Sequence, residues 1–225
     1  SHFEGDYFRT LLHIPTRNLV VIPNGAGLPN VPNQMDIPPK TSTQSLIVSV
    51  GRLERYKGHQ HLITALPKIH ERFADAHLLI VGTGPYELPL RVLAQRVGVA
   101  EYVEFRAVPA SDRQQMAEIL SQAMLVALLS EYEAHPIAVM EALALRRPVL
   151  VADTSGMREL AEQGLVRAIP LQSTSEEIAQ IALQQIMDPL IPPASFALPT
   201  WDECAEQLQT IYNTCVQERK LCVSC

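Results

Sequence analysis

Apolar residues along the chain fall into short solid runs and longer spaced stripes, and the two alternate. "SLIVSV" (45–50), "HLLIV" (77–81), "YVEFR" (102–106), "AMLVALL" (123–129) and "PVLVA" (148–152) have strand length and strand chemistry. "NLVVIP" (18–23) reads as a further buried strand, ended by the turn "PNG". Between the runs the spacing becomes helical. In "GHQHLITALPKIHERF" (58–73), Leu62, Ile63, Leu66, Ile69 and Phe73 share one face, and Pro67 predicts a kink. "SDRQQMAEILSQA" (111–123) opens with Ser111 as its expected N-cap. Further helices are expected over 3–13, 86–97, 136–146, 156–163, 174–187 and 201–220. Strands apolar on both faces and alternating with helices predict a parallel sheet covered on both sides, a doubly wound α/β domain. Such sheets bind ligands at the carboxyl ends of their strands.

The same pattern divides the chain. Residues 1–25 carry a helix and a strand, and 26–44 form a Pro- and Asn-rich surface loop without periodicity. The sheet domain follows over 45–200, with a final helix and tail over 201–225. The 225 residues give ample core for one large domain or two small ones. With 47% apolar and 19% charged residues, the composition is that of a soluble globular protein. A net charge of −6 argues against a nucleic-acid-binding surface. The longest apolar run, 123–129, is too short to span a bilayer, and no signal peptide opens the chain. A cytoplasmic location is the expectation. Cys204, Cys215, Cys222 and Cys225 crowd the last residues; "CVSC" has the spacing of half a zinc site without a second half, so they read as reduced thiols.

The strand-end loops carry the candidate chemistry. In "GRLERYKGH" (51–59), Gly51 allows close backbone approach, while Arg52 and Lys57 offer a planar fork and a mobile charge for phosphate oxygens. The bland alternative is two solvated cations. A P-loop is excluded, because Lys57 is followed by Gly58 and His59. "GTGPYE" (82–87) invites a dinucleotide reading as an NAD-dependent oxidoreductase, but Glu87 stands where the third glycine belongs. A tight strand-to-helix turn is the simpler account.

"EAHPIAVME" (133–141) begins a helix without a capping side chain. His135 takes the cap, Pro136 the first helical position, and the N–H groups of Ile137, Ala138 and Val139 point at an anion site. Glu133 lies outside the helix and Glu141 about a turn and a half inside it, so the two carboxylates serve different groups. A central diphosphate with a sugar at either end matches this layout. The competing reading makes Glu133 a surface residue and Glu141 the ion-pair partner of Arg146 or Arg147.

Taken in order, "VIPNG" (21–25), "SVGRLERYKG" (49–58), "LLIVGTGP" (78–85), "EAHPIAVMEALALRRPVLVAD" (133–153) and "GMRELAE" (156–162) resemble the family-four glycosyltransferases of the GT-B fold, of the type found in bacterial envelope and exopolysaccharide synthesis. The likeness is to their C-terminal, Rossmann-like, donor-binding half. It implies that Arg52 and Lys57 clamp a donor pyrophosphate, that Glu141 holds the ribose hydroxyls and that Glu133 binds the transferred sugar. It further implies that backbone groups at Ile137 and Ala138 meet phosphate or sugar, and that Arg106, Ala107 and Val108 read the base. Such enzymes retain anomeric configuration and need no divalent metal, and the sequence contains no D-x-D pair. UDP-glucose or a similar UDP-hexose is the implied donor; the acceptor is a carbohydrate or lipid-linked molecule, and peripheral membrane association of the full-length enzyme follows. A non-catalytic nucleotide-sugar-binding or regulatory module of the same fold is the alternative. The chain departs from the family pattern at His135 and Pro136 (usually an aromatic and a glycine), Ala107, Arg146 and Ser155 (usually glycines). A two-domain transferase needs about 350 to 400 residues, so an N-terminal acceptor domain is expected in addition, and the chain supplies an interdomain linker and a C-terminal helix crossing back to it.

Overall fold

Parallel strands buried on both faces need no polar side, and here the sequence supplies almost none. The computed structural model describes residues 1–25, 27–28, 45–193 and 196–223, with side chains through 217. Six strands, Ser45–Val50 (β1), Ala76–Val81 (β2), Val103–Arg106 (β3), Leu125–Leu128 (β4), Val149–Ala152 (β5) and Arg167–Ile169 (β6), form one sheet in the order β3-β2-β1-β4-β5-β6. Every pairing is parallel. The helices are His2–Leu12 (α1), His59–His70 (α2), Glu87–Arg96 (α3), Arg113–Gln122 (α4), Ile137–Ala144 (α5), Ser155–Glu162 (α6), Ser175–Met187 (α7) and Trp201–Val223 (α8).

The strand period of two sorts the core into two layers. Ile47, Leu78, Ile80, Leu125, Ala127 and Leu150 pack under α2, α3 and α7. Val48, Leu79, Val81, Val126, Leu128 and Val151 pack under α4, α5 and α6. The chain steps outward from β1 to β3 and then returns past β1 to β4. The loops after β1 and β4 therefore diverge to opposite sheet faces at the point where strand order reverses, which opens a crevice between them.

Several boundaries differ from the sequence reading, each for a physical reason. No strand forms over 18–23. Thr16–Asn18 makes a single 3-10 turn, and the following residues find no ladder partner. Leu19 and Val21 instead close on α1 at Gly5, where an added Cβ would stand 3.1 and 3.0 Å from their side chains. The cap of α4 is Asp112, not Ser111: its carboxylate accepts the Gln115 N–H at 3.0 Å. Helix α2 continues through Pro67 to His70. Strand β6 is only three residues long, too short for its alternation to register in the sequence. The surface loop expected over 26–44 lies outside the described residues except for Gly27 and Leu28, as do the side chains of Cys222 and Cys225. Cys204 is buried, and its thiol donates to the Pro23 carbonyl at 3.1 Å. Among the described residues no helix is long and apolar enough to cross a membrane.

Candidate functional site

Adjacency of β1 and β4 brings the two loops of interest together. Lys57 reaches across from the β1–α2 loop, and its ammonium lies 2.5 Å from Oε1 of Glu133 in the β4–α5 loop, with both side chains largely withdrawn from solvent. Ser130 sits beneath this pair, its hydroxyl 3.0 Å from the same carboxylate oxygen and 3.3 Å from the Lys57 carbonyl. One hydroxyl hydrogen serves one of these acceptors at a time. Arg52 is far more open, with 68% of its side chain exposed. Its guanidinium pairs with Glu54 at 2.9 Å and donates to the Tyr56 hydroxyl. The Tyr56 ring stands between the two cations, 5.9 Å from the Arg52 guanidinium carbon and 5.3 Å from the Lys57 ammonium. Both cations therefore stand near one aromatic ring.

Helix α5 begins one residue later than the sequence suggested. Pro136 is its cap, and the Pro136 carbonyl accepts from both Val139 and Met140 at 3.1 Å. Val139 is thereby satisfied, and the free donors number two: among the described residues the N–H groups of Ile137 and Ala138 have no acceptor. His135 stands just before the cap. Burial, and then the amino-terminal charge, lower its pKa, while Glu159 acts in the opposite sense. Its Nδ1 is buried without a partner among the described residues, and its carbonyl accepts from Asn24 at 3.2 Å.

Glu141 points inward, with 4% of its side chain exposed, and its partner is neither Arg146 nor Arg147. Arg113, in the first turn of α4, donates to its Oε1. Arg146 instead ends α5 in the left-handed region at φ 53°, which is why a glycine is usual at this position. Arg147 is buried and donates to the carbonyls of Leu145 and Ser121 at 3.0 and 3.1 Å. Of the predicted base-reading segment, the Arg106 side chain turns back to Glu104 at 2.6 Å while its carbonyl accepts from Gly82. Ala107 is exposed, and Val108 packs on the α4–α5 side of the core.

Two supports escaped the sequence reading. The β5–α6 turn straps the Glu133 loop: Ser155, held at φ 48°, accepts from the Glu133 N–H and donates to the Glu133 carbonyl, both at 2.8 Å. Gly156 lies so close beneath that a Cβ there would be 1.9 Å from the Ala134 carbonyl oxygen. On the other side, His59 is fully buried behind Gly51. It faces a carbonyl (Arg52, 3.2 Å) through Nε2, so Nε2 carries the hydrogen and Nδ1 accepts from the Ser49 hydroxyl at 2.9 Å. Burial pushes its pKa down to about 4, with Lys57 adding to the effect and the backbone bonds opposing it.

The G-x-G after β2 is explained by packing. A Cβ on Gly82 would meet the Gly51 carbonyl oxygen at 1.9 Å, and one on Gly84 the Leu53 carbonyl oxygen at 2.4 Å. The space a dinucleotide pyrophosphate would need at these glycines is filled by the β1–α2 loop. They exist to let that loop, with its two cations, rest on the end of β2.

Residues 30–189 match the sequence profile described as Glycosyl transferases group 1. Among curated relatives, the GDP-mannose-dependent alpha-(1-6)-phosphatidylinositol monomannoside mannosyltransferase of Mycobacterium tuberculosis is 29% identical over 147 residues, covering 63% of this chain and 38% of that protein. Among solved structures, Anabaena HepE in complex with UDP-glucose is 27% identical with a TM-score of 0.55, over 65% of this chain and 40% of that one. Sucrose-phosphate synthase from Thermosynechococcus elongatus aligns over 97% of this chain and 57% of its own, with a TM-score of 0.77 at 23% identity, a likeness of fold. The chain thus spans well under two thirds of the length of the curated relatives it matches.

Proposed function

The chain belongs to the group 1 glycosyl transferases, and from that premise we propose that it is the donor-binding half of a retaining enzyme that moves a hexosyl unit from a UDP-sugar of the UDP-glucose type to a carbohydrate or lipid-linked acceptor. The observation that carries this reading is the contact between Lys57 and Glu133, which ties the β1–α2 loop to the loop that leads into the open amide end of α5. An ammonium has three N–H groups, and Glu133 engages one of them. The others are free to meet a diphosphate placed against the Ile137 and Ala138 amides, where the helix dipole favours negative charge. Arg52, exposed at the rim, meets the same anion. As the sugar leaves, charge grows on the diphosphate, and these fixed donors stabilise it. No divalent metal is invoked in this scheme. Glu133 keeps its second carboxylate oxygen for hydroxyls of the transferred sugar, and Glu141 accepts from the ribose. Backbone atoms of Arg106, at the end of β3, and of Ala107 and Val108, in the loop that follows, read the base. A uracil base is supported by the likeness to HepE, whose complex contains UDP-glucose; the mannosyltransferase relative is GDP-mannose-dependent, so guanine is the competitor.

In this reading residues 1–25 and α8 join the donor half to an acceptor domain, and the chain alone binds donor without efficient transfer. Calorimetric titration with UDP, GDP and UDP-glucose tests it; absence of heat with all three at millimolar ligand overturns it. Catalysis is separated from mere binding by Glu133→Ala in the two-domain enzyme. Transfer should fall by about 10² or more while UDP affinity changes little. Equal losses in both would mark a non-catalytic binding module.

A further inference from the structure

Helix α4 opens with a residue placed against its own interest. The amino end of a helix carries partial positive charge, so a cation in its first turn is electrostatically disfavoured. Arg113 occupies that turn, directly after the Asp112 cap. Its compensation lies on another helix: the guanidinium donates to Oε1 of Glu141 on α5. Glu141 is one of the few charged groups in the interior, and a buried carboxylate without a partner does not stay ionised. Among the described residues, no other side chain or backbone group donates to it. Arg113 therefore supplies the counter-charge to this carboxylate and engages one of its oxygens, which leaves the second oxygen as an acceptor. With 36% of its side chain exposed, Arg113 reaches Glu141 from the solvent rim of the β3–α4 loop.

Resting on the nucleotide-sugar reading above, we propose that Arg113 is a positioning residue that holds Glu141 as a charged acceptor for the donor's ribose hydroxyls. It acts on the sugar of the nucleotide through Glu141 and leaves the diphosphate to Lys57 and Arg52. Its loss should therefore be felt only by ligands that carry those hydroxyls.

The test is a titration of the chain with UDP and with 2′,3′-dideoxy-UDP, and with the GDP pair in parallel, for the wild type, Arg113→Ala and Arg113→Lys. Wild type should prefer the ribonucleotide by about tenfold or more, since hydrogen bonds to a charged acceptor are the strong ones. Arg113→Ala should bring that preference to within about twofold, with affinity for the dideoxy ligand unchanged, and Arg113→Lys should restore most of it. A tenfold preference surviving in Arg113→Ala overturns the proposal while the donor reading stands. So does an equal loss for both ligands, which marks Arg113 as a structural residue only. Wild type that binds none of the four ligands overturns the donor reading and this proposal together. Should Arg113→Ala fail to fold, Arg113→Gln, which keeps the stem and removes the charge, gives the same comparison.

Discussion

Three described residues other than glycine take left-handed φ, His13 at the C-cap of α1, Arg146 and Ser155, and the last two behave oppositely. Ser155 at φ 48° offsets its strain by bonding both the N–H and the carbonyl of Glu133. Ser155→Ala should keep the strain and lose both bonds, costing about 1–3 kcal/mol in denaturant unfolding. Ser155→Gly relieves the strain as it loses the bonds, so its midpoint should stay within about 1 kcal/mol of wild type. Among the described residues Arg146, at φ 53°, has no such offset, and its Nε is buried without a partner. Arg146→Gly should therefore raise stability by about 1 kcal/mol. An unchanged or lowered midpoint would mean that the packed arginine stem outweighs the backbone strain. Arg146 and Ser155 were visible in the sequence as departures from a family glycine; the hydroxyl's two bonds were not, because they depend on where the Glu133 loop lies in space. Arg113 was invisible for the same reason. A cation on a polar helix face carries no signal of a partner 28 residues away.

At the scale of elements, the helices and the five longer strands were legible because each carries its own period. The misreadings occur where a segment's fate is decided by a neighbour. "NLVVIP" is as apolar as β1, yet it packs on α1 because no strand edge meets it. "GTGPYE" resembles a phosphate loop, yet its glycines accommodate another loop's backbone. The site follows the same rule: the motifs named Lys57, Glu133 and Glu141, and only the sheet order put Lys57 against Glu133. The strap at α6 allows a direct test of that dependence. A Cβ on Gly156 would stand 1.9 Å from the Ala134 carbonyl oxygen, whereas a Cβ at Gly164, just past the far end of the same helix, meets nothing within 4 Å. Gly156→Ala should push the β4–α5 loop outward, costing about 1–3 kcal/mol or more and lowering nucleotide affinity at least severalfold. Gly164→Ala, at φ 71°, should cost about 1 kcal/mol and leave affinity alone. Equal affinities in the two variants would show that the strap does not hold the loop in its binding position.

For the molecule as a whole, the two-layer core leaves its ends uncovered. Helix α1 exposes Tyr7, Phe8, Leu11 and Leu12, and α8 exposes Trp201, Leu208 and Tyr212. Burial is also the chief cause of the lowered pKa values of three histidines, His59 in the interior and the half-buried His61 and His135. The consequence is a global pH dependence whose sign is fixed. Unfolded, His59 takes up a proton near pH 6.5; folded, it refuses one until about pH 4. Between those values the unfolded chain binds more protons, so stability is full above the window and is lost as pH falls through it. From His59 alone the loss is at most about 3 kcal/mol, and His61 and His135 act in the same direction. The carboxylates with lowered pKa, Glu176 and Glu203, are fully exposed and titrate below the ordinary glutamate value of 4.5. Between pH 6.5 and 5 the histidines therefore dominate. Urea midpoints should be level from pH 8 to 7 and fall steadily from 6.5 to 5, and His59→Gln should flatten the fall while lowering the neutral-pH value through the lost bonds to Ser49 and the Arg52 carbonyl. A variant that keeps the full slope would place the protonation elsewhere and remove His59 as the buried, neutral post behind the loop that carries Arg52 and Lys57.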